Sequence, residues 1–219
     1  MENDINVCLY LYFMSSFYEM INKAMKERDS QYVRKEGEVY VTDIVTCTLK
    51  RNGQFDLAVL FRGIALHEGT QKFLSDYLKG SKVEVEKEVS KRYGDYYLKG
   101  RVDLVIDGVP YEIKTANKLP ITPRIEHLYQ LRIYMYLLNV DVGKLVYITF
   151  NEIDEWTINK DEVYNEKTGQ KLFQLVTVDD NKIQKLINDF VSRELIAPFH
   201  ECFECYLVNK CEKSLKARK

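Results

Sequence analysis

Glycine and proline are scarce in this chain, ten and four among 219 residues. That is too few for low-complexity linkers or a collagen-like repeat. Long apolar runs are missing as well. The longest, Val7 to Met14, spans eight residues, too short to cross a bilayer. The start, Met-Glu-Asn-Asp, lacks the basic region and small-residue cleavage site of a secretory signal, so the chain is read as cytoplasmic. Neither sign of charge dominates: 32 basic side chains face 33 acidic ones, a net charge of −1. No global field therefore draws the protein to nucleic acid. The stretch G-x-x-x-x-G-K-[ST] is also absent, which excludes a P-loop in this chain.

What is present is the composition of a folded domain, 46% hydrophobic and 30% charged. The length suits one domain, and no repeat or composition break divides it. Residues 1–219 are therefore expected to form a single domain, with 1–40 as a helical N-terminal extension. The basic end, Lys210, Lys213, Lys216, Arg218 and Lys219 against Glu212, reads as a solvated tail. Five cysteines cannot all pair, and cytosolic thiols stay reduced. Three of them, Cys202, Cys205 and Cys211, form a tight C-x-x-C-x-x-x-x-x-C cluster, which scattered buried thiols would not do.

Periodicity predicts helices over 7–28, 56–78 and 124–138, and a last one from about Asp180. Strands are expected at Val39–Val45, Val83–Val89, Tyr96–Ile106, Tyr111–Thr115, Lys144–Phe150 and Leu172–Val178. Trp156 and a Thr168-Gly169 turn fall in the link between the last two. This order implies an α/β fold, a mixed sheet flanked by helices.

The Asp107-Gly108 pair is a strong hairpin signal. Counting outward from a two-residue turn pairs Ile106 with Val109, Val105 with Pro110, Leu104 with Tyr111 and Asp103 with Glu112. Pro110 then falls at a non-hydrogen-bonded position, where its missing N–H costs nothing. Like charges at Asp103 and Glu112 repel when directly opposite, and Lys114 projects from the same face. Two carboxylates and an ammonium in one spot suit Mg²⁺ or Mn²⁺; the plain alternative is a surface ion-pair ladder. The flanking Val102, Leu104, Val105, Ile106 and Ile113 favour the buried site. The pattern [DE]-x-K alone is weak, recurring at Asp180-Asn181-Lys182.

Gly100-Arg101-Val102-Asp103, Glu112-Ile113-Lys114 and Gln130-Leu131-Arg132-Ile133-Tyr134 together resemble the three motifs of the RecB-like branch of the PD-(D/E)XK nucleases. His67, in Gly63-Ile64-Ala65-Leu66-His67-Glu68-Gly69, resembles that branch's upstream helical histidine. With Cys47 and the C-terminal cysteines added, residues 40–212 resemble the CRISPR-associated RecB-like exonuclease (Cas-four) family. The resemblance implies a Mg²⁺- or Mn²⁺-dependent exonuclease on single-stranded DNA, mainly 5′ to 3′, that trims spacer precursors beside the CRISPR integrase complex. Homo-oligomerisation is left open. It implies metal ligands at Asp103, Glu112, the Ile113 carbonyl and His67. Lys114 would stabilise the nucleophile or the transition state, and Gln130 and Tyr134, at i and i+4, would position the lysine and the DNA. His127 shares their face and is read as a surface residue. The family's four cysteines hold an iron–sulfur cluster, here Cys47, Cys202, Cys205 and Cys211, with His200 a minor alternative. Tetrahedral zinc is the competing metal, but it favours two C-x-x-C knuckles, and the uneven spacing points to a 4Fe–4S cluster over 200–213. Competing roles are the nuclease arm of a helicase machine, a solitary viral or mobile-element nuclease, and a non-catalytic metal-stapled DNA-binding module.

Overall fold

The structure, a computed structural model, describes residues 16–30, 33–47, 56–172 and 177–192. Among these, no helix is long and apolar enough to cross a membrane. The elements are α1 (Phe17–Ser30), β1 (Glu38–Tyr40), α2 (Val41–Val45), α3 (Leu57–Tyr77), β2 (Val83–Tyr93), β3 (Tyr96–Ile106) and β4 (Val109–Thr115). They continue with α4 (Ile125–Leu138), β5 (Val142–Ile148), β6 (Ile153–Asn159), β7 (Val163–Asn165), β8 (Lys171–Leu172) and α5 (Asp180–Val191). The eight strands form one mixed sheet in the order β1-β3-β4-β5-β6-β7-β8, with β2 also paired to β3. The expected α/β architecture is present.

The local chemistry explains several element ends. Asp56 caps α3 by accepting from the Ala58 N–H at 2.8 Å, and Asp179 caps α5 through the Lys182 N–H at 2.7 Å. Asp107 and Gly108 take φ of 50° and 87°, the two positive values a type I′ turn requires. Two strand predictions need correction. Only Val39 and Tyr40 of the stretch at Val39–Val45 are strand, within β1; from Val41 it turns into α2, because Asp43 reaches back to the Tyr40 N–H at 2.7 Å and caps a helical turn. The link between β5 and β8 is itself β-structure. Trp156 lies fully buried in β6, whose pattern of buried Asp154, Trp156, Thr157 and Ile158 lacks clean alternation. Of the expected Leu172–Val178 strand, Leu172 pairs within β8, 177–178 are not strand, and 173–176 lie outside the described residues.

α4 crosses from β4 to the parallel strand β5 and packs on one face of the sheet. Its Leu131, Ile133 and Tyr134 are buried with Ile44, Leu98, Val102, Ile183 and Ile187 in one core, or with Leu145, Tyr147 and Trp156 in a second. Fully burying such aliphatic side chains contributes about 1.5–3 kcal/mol each. α3 covers the other face less completely. It meets the small third core of Leu104, Ile113 and Ile148 through Leu74, while Phe73 and Tyr77 stay exposed. The one residue α3 buries outright is Gln71.

Candidate active site

β2 occupies one edge of β3 along its whole length. The other edge is shared: β1 pairs with Tyr97–Lys99 and β4 with Leu104–Ile106. Gly100 to Asp103 lie between, with no strand beside them on that edge. The hairpin register holds for Ile106↔Val109, Val105↔Pro110 and Leu104↔Tyr111. Asp103 and Glu112 do not extend this ladder as predicted. The strands part there, because β4 continues as the partner of β5, and the Asp103 carboxylate fills the fork by accepting the Ile113 N–H at 2.6 Å. On the β2 side the ladder also skips this level, running Val85↔Leu104 and then Lys87↔Val102. Glu86, opposite Asp103, has a φ of 52°, a left-handed conformation uncommon for a side chain of this kind.

The side chains converge on the fork. His67 Nε2 lies 3.0 Å from Asp103 Oδ2. Lys114 Nζ donates to Glu112 Oε1 at 2.6 Å and to Gln130 Oε1 at 2.8 Å. Gln130 Nε2 donates to the Tyr134 hydroxyl at 3.3 Å. Gly100 makes this last placement possible, since a Cβ there would lie 2.4 Å from Tyr134 Cε1 and 3.0 Å from Val41 Cγ2. All of these side chains line one open cleft of about 1090 Å³. Its rim carries Arg28, Lys99, Arg101 and Arg124, a positive border around an acidic floor.

Burial and the nearby Asp103 charge push the Glu112 carboxyl up to about 8, against the pull of Lys114. Burial opposes charge on Lys114, but the Glu112 and Asp103 carboxylates hold its proton more tightly than usual. Burial likewise opposes charge on His67, yet the Asp103 hydrogen bond and the charges of Asp103, Glu86 and Glu112 raise its pKa. Glu112 is 1% exposed, and its Oε2 has no hydrogen-bond partner among the described residues, an orphan that costs about 1–3 kcal/mol or more if charged. An oxygen-rich set with one imidazole and one unpartnered carboxylate oxygen fits a divalent cation such as Mg²⁺ or Mn²⁺.

The sequence profile of the PD-(D/E)XK nuclease superfamily matches residues 17–212. The CRISPR-associated exonuclease Cas4 of Saccharolobus solfataricus is 30% identical over 158 residues, covering 65% of this chain and 78% of that protein. The chain belongs to the PD-(D/E)XK nucleases, within the Cas4 family. The crystal structure of SSO0001 superposes with a TM-score of 0.69 at 27% identity, covering 93% of this chain and all of that one.

In this nuclease the geometry brings together Asp103, Glu112, Ile113, Lys114, Gln130, Tyr134 and His67, as the three motifs imply. Cys47 is buried just after α2 and has no disulfide partner among the described residues. Cys202, Cys205, Cys211, His200, Cys8 and the basic tail lie outside the described residues. His127 corrects the surface reading: it is half-buried, lines the cleft, and its Nδ1 sits 2.9 Å from the hydroxyl of buried Tyr147. Two residues escaped sequence reasoning. Gln71 donates from Nε2 to Glu86 Oε1 at 2.7 Å and to the Asp103 carbonyl at 2.9 Å. Its signal was available, since it stands at i+4 from His67 on one helix face. Glu86 also pairs with Arg101 Nε; nothing in the Val-Glu-Val-Glu-Lys-Glu alternation marks it from its neighbours.

Proposed function

We propose that this nuclease is a Mg²⁺- or Mn²⁺-dependent exonuclease that degrades single-stranded DNA from the 5′ end in the cytoplasm. Its role would be to trim DNA precursors before their integration as CRISPR spacers, beside the integrase complex. The observation that supports the chemistry most is the convergence of Asp103, Glu112 and Lys114 on the floor of a basic-rimmed cleft. The Cas4 relative supports the CRISPR setting. Residues 1–219 act as one domain in this reading, and Cys47, Cys202, Cys205 and Cys211 hold a 4Fe–4S cluster that ties the C-terminal segment to the end of α2.

His67, Asp103, Glu112 and the Ile113 carbonyl would hold the cation, which supplies a hydroxide near neutral pH and neutralises charge on the attacked phosphate. The rest falls to the chain's own groups. Asp103 is fixed by the Ile113 N–H, so its free oxygen lone pairs keep one direction. Lys114 commits two N–H bonds to Glu112 and Gln130 and turns the third toward the cleft, where it stabilises charge developing on a phosphate oxygen. Gln130 and Tyr134 hold that ammonium in place. The rim cations Arg28, Lys99, Arg101 and Arg124 attract the phosphate backbone and make binding salt-dependent.

The test is a digest of 5′- and 3′-labelled single- and double-stranded oligonucleotides with Mn²⁺, Mg²⁺ or chelator. Single strands should be shortened from the 5′ end only when metal is present. Equal digestion of duplex, release from the 3′ end, or activity in chelator would overturn the corresponding part of the reading.

A further inference from the structure

We propose that Glu86 is a positioning residue of the metal site, a carboxylate behind His67 that leaves the far ring nitrogen, beside Asp103, to a cation. The proposal rests on the metal-site reading above and extends it by one residue. His67 presents its two ring nitrogens to two different acids. Nε2 faces Asp103 Oδ2 at 3.0 Å, and Nδ1 faces Glu86 Oε1 at 4.0 Å. Donor atoms of His67, Glu86 and Asp103 lie within 4.8 Å of one another. A second observation points to a ligand at the same place. Glu112, on the floor of this cleft, is buried with Oε2 unpartnered among the described residues.

Ring nitrogens that bind metal are selected by what the other nitrogen does. At 4.0 Å the Glu86 carboxylate acts on Nδ1 as a nearby charge rather than a hydrogen-bond partner; it favours the proton on that nitrogen and leaves Nε2, beside Asp103, as the donor to a cation. Glu86 is itself held on three sides. Gln71 binds its Oε1, Arg101 pairs with its Oε2, and the left-handed backbone at φ 52° aims the side chain. Gln71 also binds the Asp103 carbonyl, so one amide spans the acid behind the histidine and the strand that carries the metal ligand. Without a function at this point, the interrupted β2–β3 ladder and the left-handed glutamate would be a local loss with nothing in return.

The experiment measures Mn²⁺ affinity by electron paramagnetic resonance and calorimetry, without DNA, on wild type, Glu86→Gln, Glu86→Gly, Arg101→Gln and Asp103→Asn. Glu86→Gln keeps the shape and an oxygen for Gln71. Glu86→Gly suits the left-handed backbone and guards against a variant that fails to fold, which melting curves in chelator would register. Losing an outer partner of a metal ligand typically weakens binding by about 10–100-fold, and both Glu86 variants should fall in that range. Arg101→Gln leaves the Glu86 carboxylate in place on Gln71 and should weaken binding less than Glu86→Gln does, and Asp103→Asn should bind hardly at all. If Asp103→Asn loses Mn²⁺ while folded Glu86 variants match wild type, Glu86 is a plain partner of Arg101 and the proposal fails alone. A loss in Arg101→Gln equal to that in Glu86→Gln would overturn it too, by assigning the effect to the ion pair. Failure of wild type to bind Mn²⁺ would remove the metal-site reading and this proposal together.

Discussion

Replacing Glu112 by glutamine should make the metal-free protein more stable, and increasingly so as pH rises. In the folded state burial and the Asp103 charge raise the Glu112 carboxyl from 4.5 to about 8. The sign follows from linkage. A folded-state pKa above the unfolded one means that folding takes up a proton, so the stability this group contributes is present below about 4.5 and lost as pH climbs toward 8. The loss accumulates at about 1.4 kcal/mol per pH unit, or roughly 3 kcal/mol by pH 7. The amide that replaces the carboxyl in Glu112→Gln has no such proton to lose and still offers an oxygen to Lys114. In chelator, wild type and variant should therefore melt together near pH 5 and separate steadily to pH 8. For a chain of this size the gap at pH 7 is about 2–4 °C per kcal/mol. Mn²⁺ should reverse the order, because a ligand that binds only the folded state adds about 2.7 kcal/mol at a hundred times its Kd and the variant lacks a ligand oxygen. Melting curves at four pH values with and without Mn²⁺ decide the matter. A gap that stays constant from pH 5 to pH 8, or a wild type that is the more stable protein at pH 8 in chelator, would refute the reasoning.

Lys114→Ala should abolish cleavage while leaving binding of single-stranded DNA within a few-fold of wild type, measured by fluorescence anisotropy; cleavage at the wild-type rate would place the chemistry elsewhere. Gly100→Ala should push the Tyr134 ring away from the 2.4 Å contact its Cβ would make, with a loss of about 1–3 kcal/mol in denaturant melts and a fall in turnover beyond what the folded fraction explains. Protein purified without oxygen should contain iron and acid-labile sulfide in equal amounts. Substituting Cys47, Cys202, Cys205 or Cys211, though not Cys8, should bleach its absorbance, whereas stoichiometric zinc without sulfide would exclude the cluster.

Much of the site was legible because its signals are local. A turn with two positive-φ positions fixes register over the next three pairs, and from Asp107-Gly108 that places Asp103 and Glu112 at the same end of the hairpin. The count fails one step later for a reason no local rule contains. β4 must also pair with β5, so it leaves β3 at Leu104, and the Asp103 side chain takes up the slack by binding the Ile113 N–H. Glu86 was invisible for a similar reason: its departure from strand geometry is imposed by what stands across from it. The strands β6 and β7 were missed because buried Asp154, Trp156 and Thr157 blur the two-residue period. Asp154 is satisfied internally by the Trp156 Nε1–H and the Asn165 amide, a polar network that hydropathy patterning reads as surface.

Each motif here is weak alone, yet the structure makes them one connected object, and that accounts for their force in combination. Gly100 lacks the Cβ that would exclude the Tyr134 ring. The Tyr134 hydroxyl accepts from Gln130, the Gln130 oxygen accepts from Lys114, and the Lys114 ammonium holds Glu112. These links run from β3 through α4 to β4, so they exist only if α4 crosses between the parallel strands β4 and β5 and lies against Gly100. A substitution at either end therefore acts on the same ammonium, and effects along the chain should be non-additive. Because Gly100→Ala and Tyr134→Phe both act by loosening Gln130, the double variant should lose little more turnover than the worse single one. Independent, additive losses would show that Gly100 serves packing alone and that Lys114 is held without Tyr134.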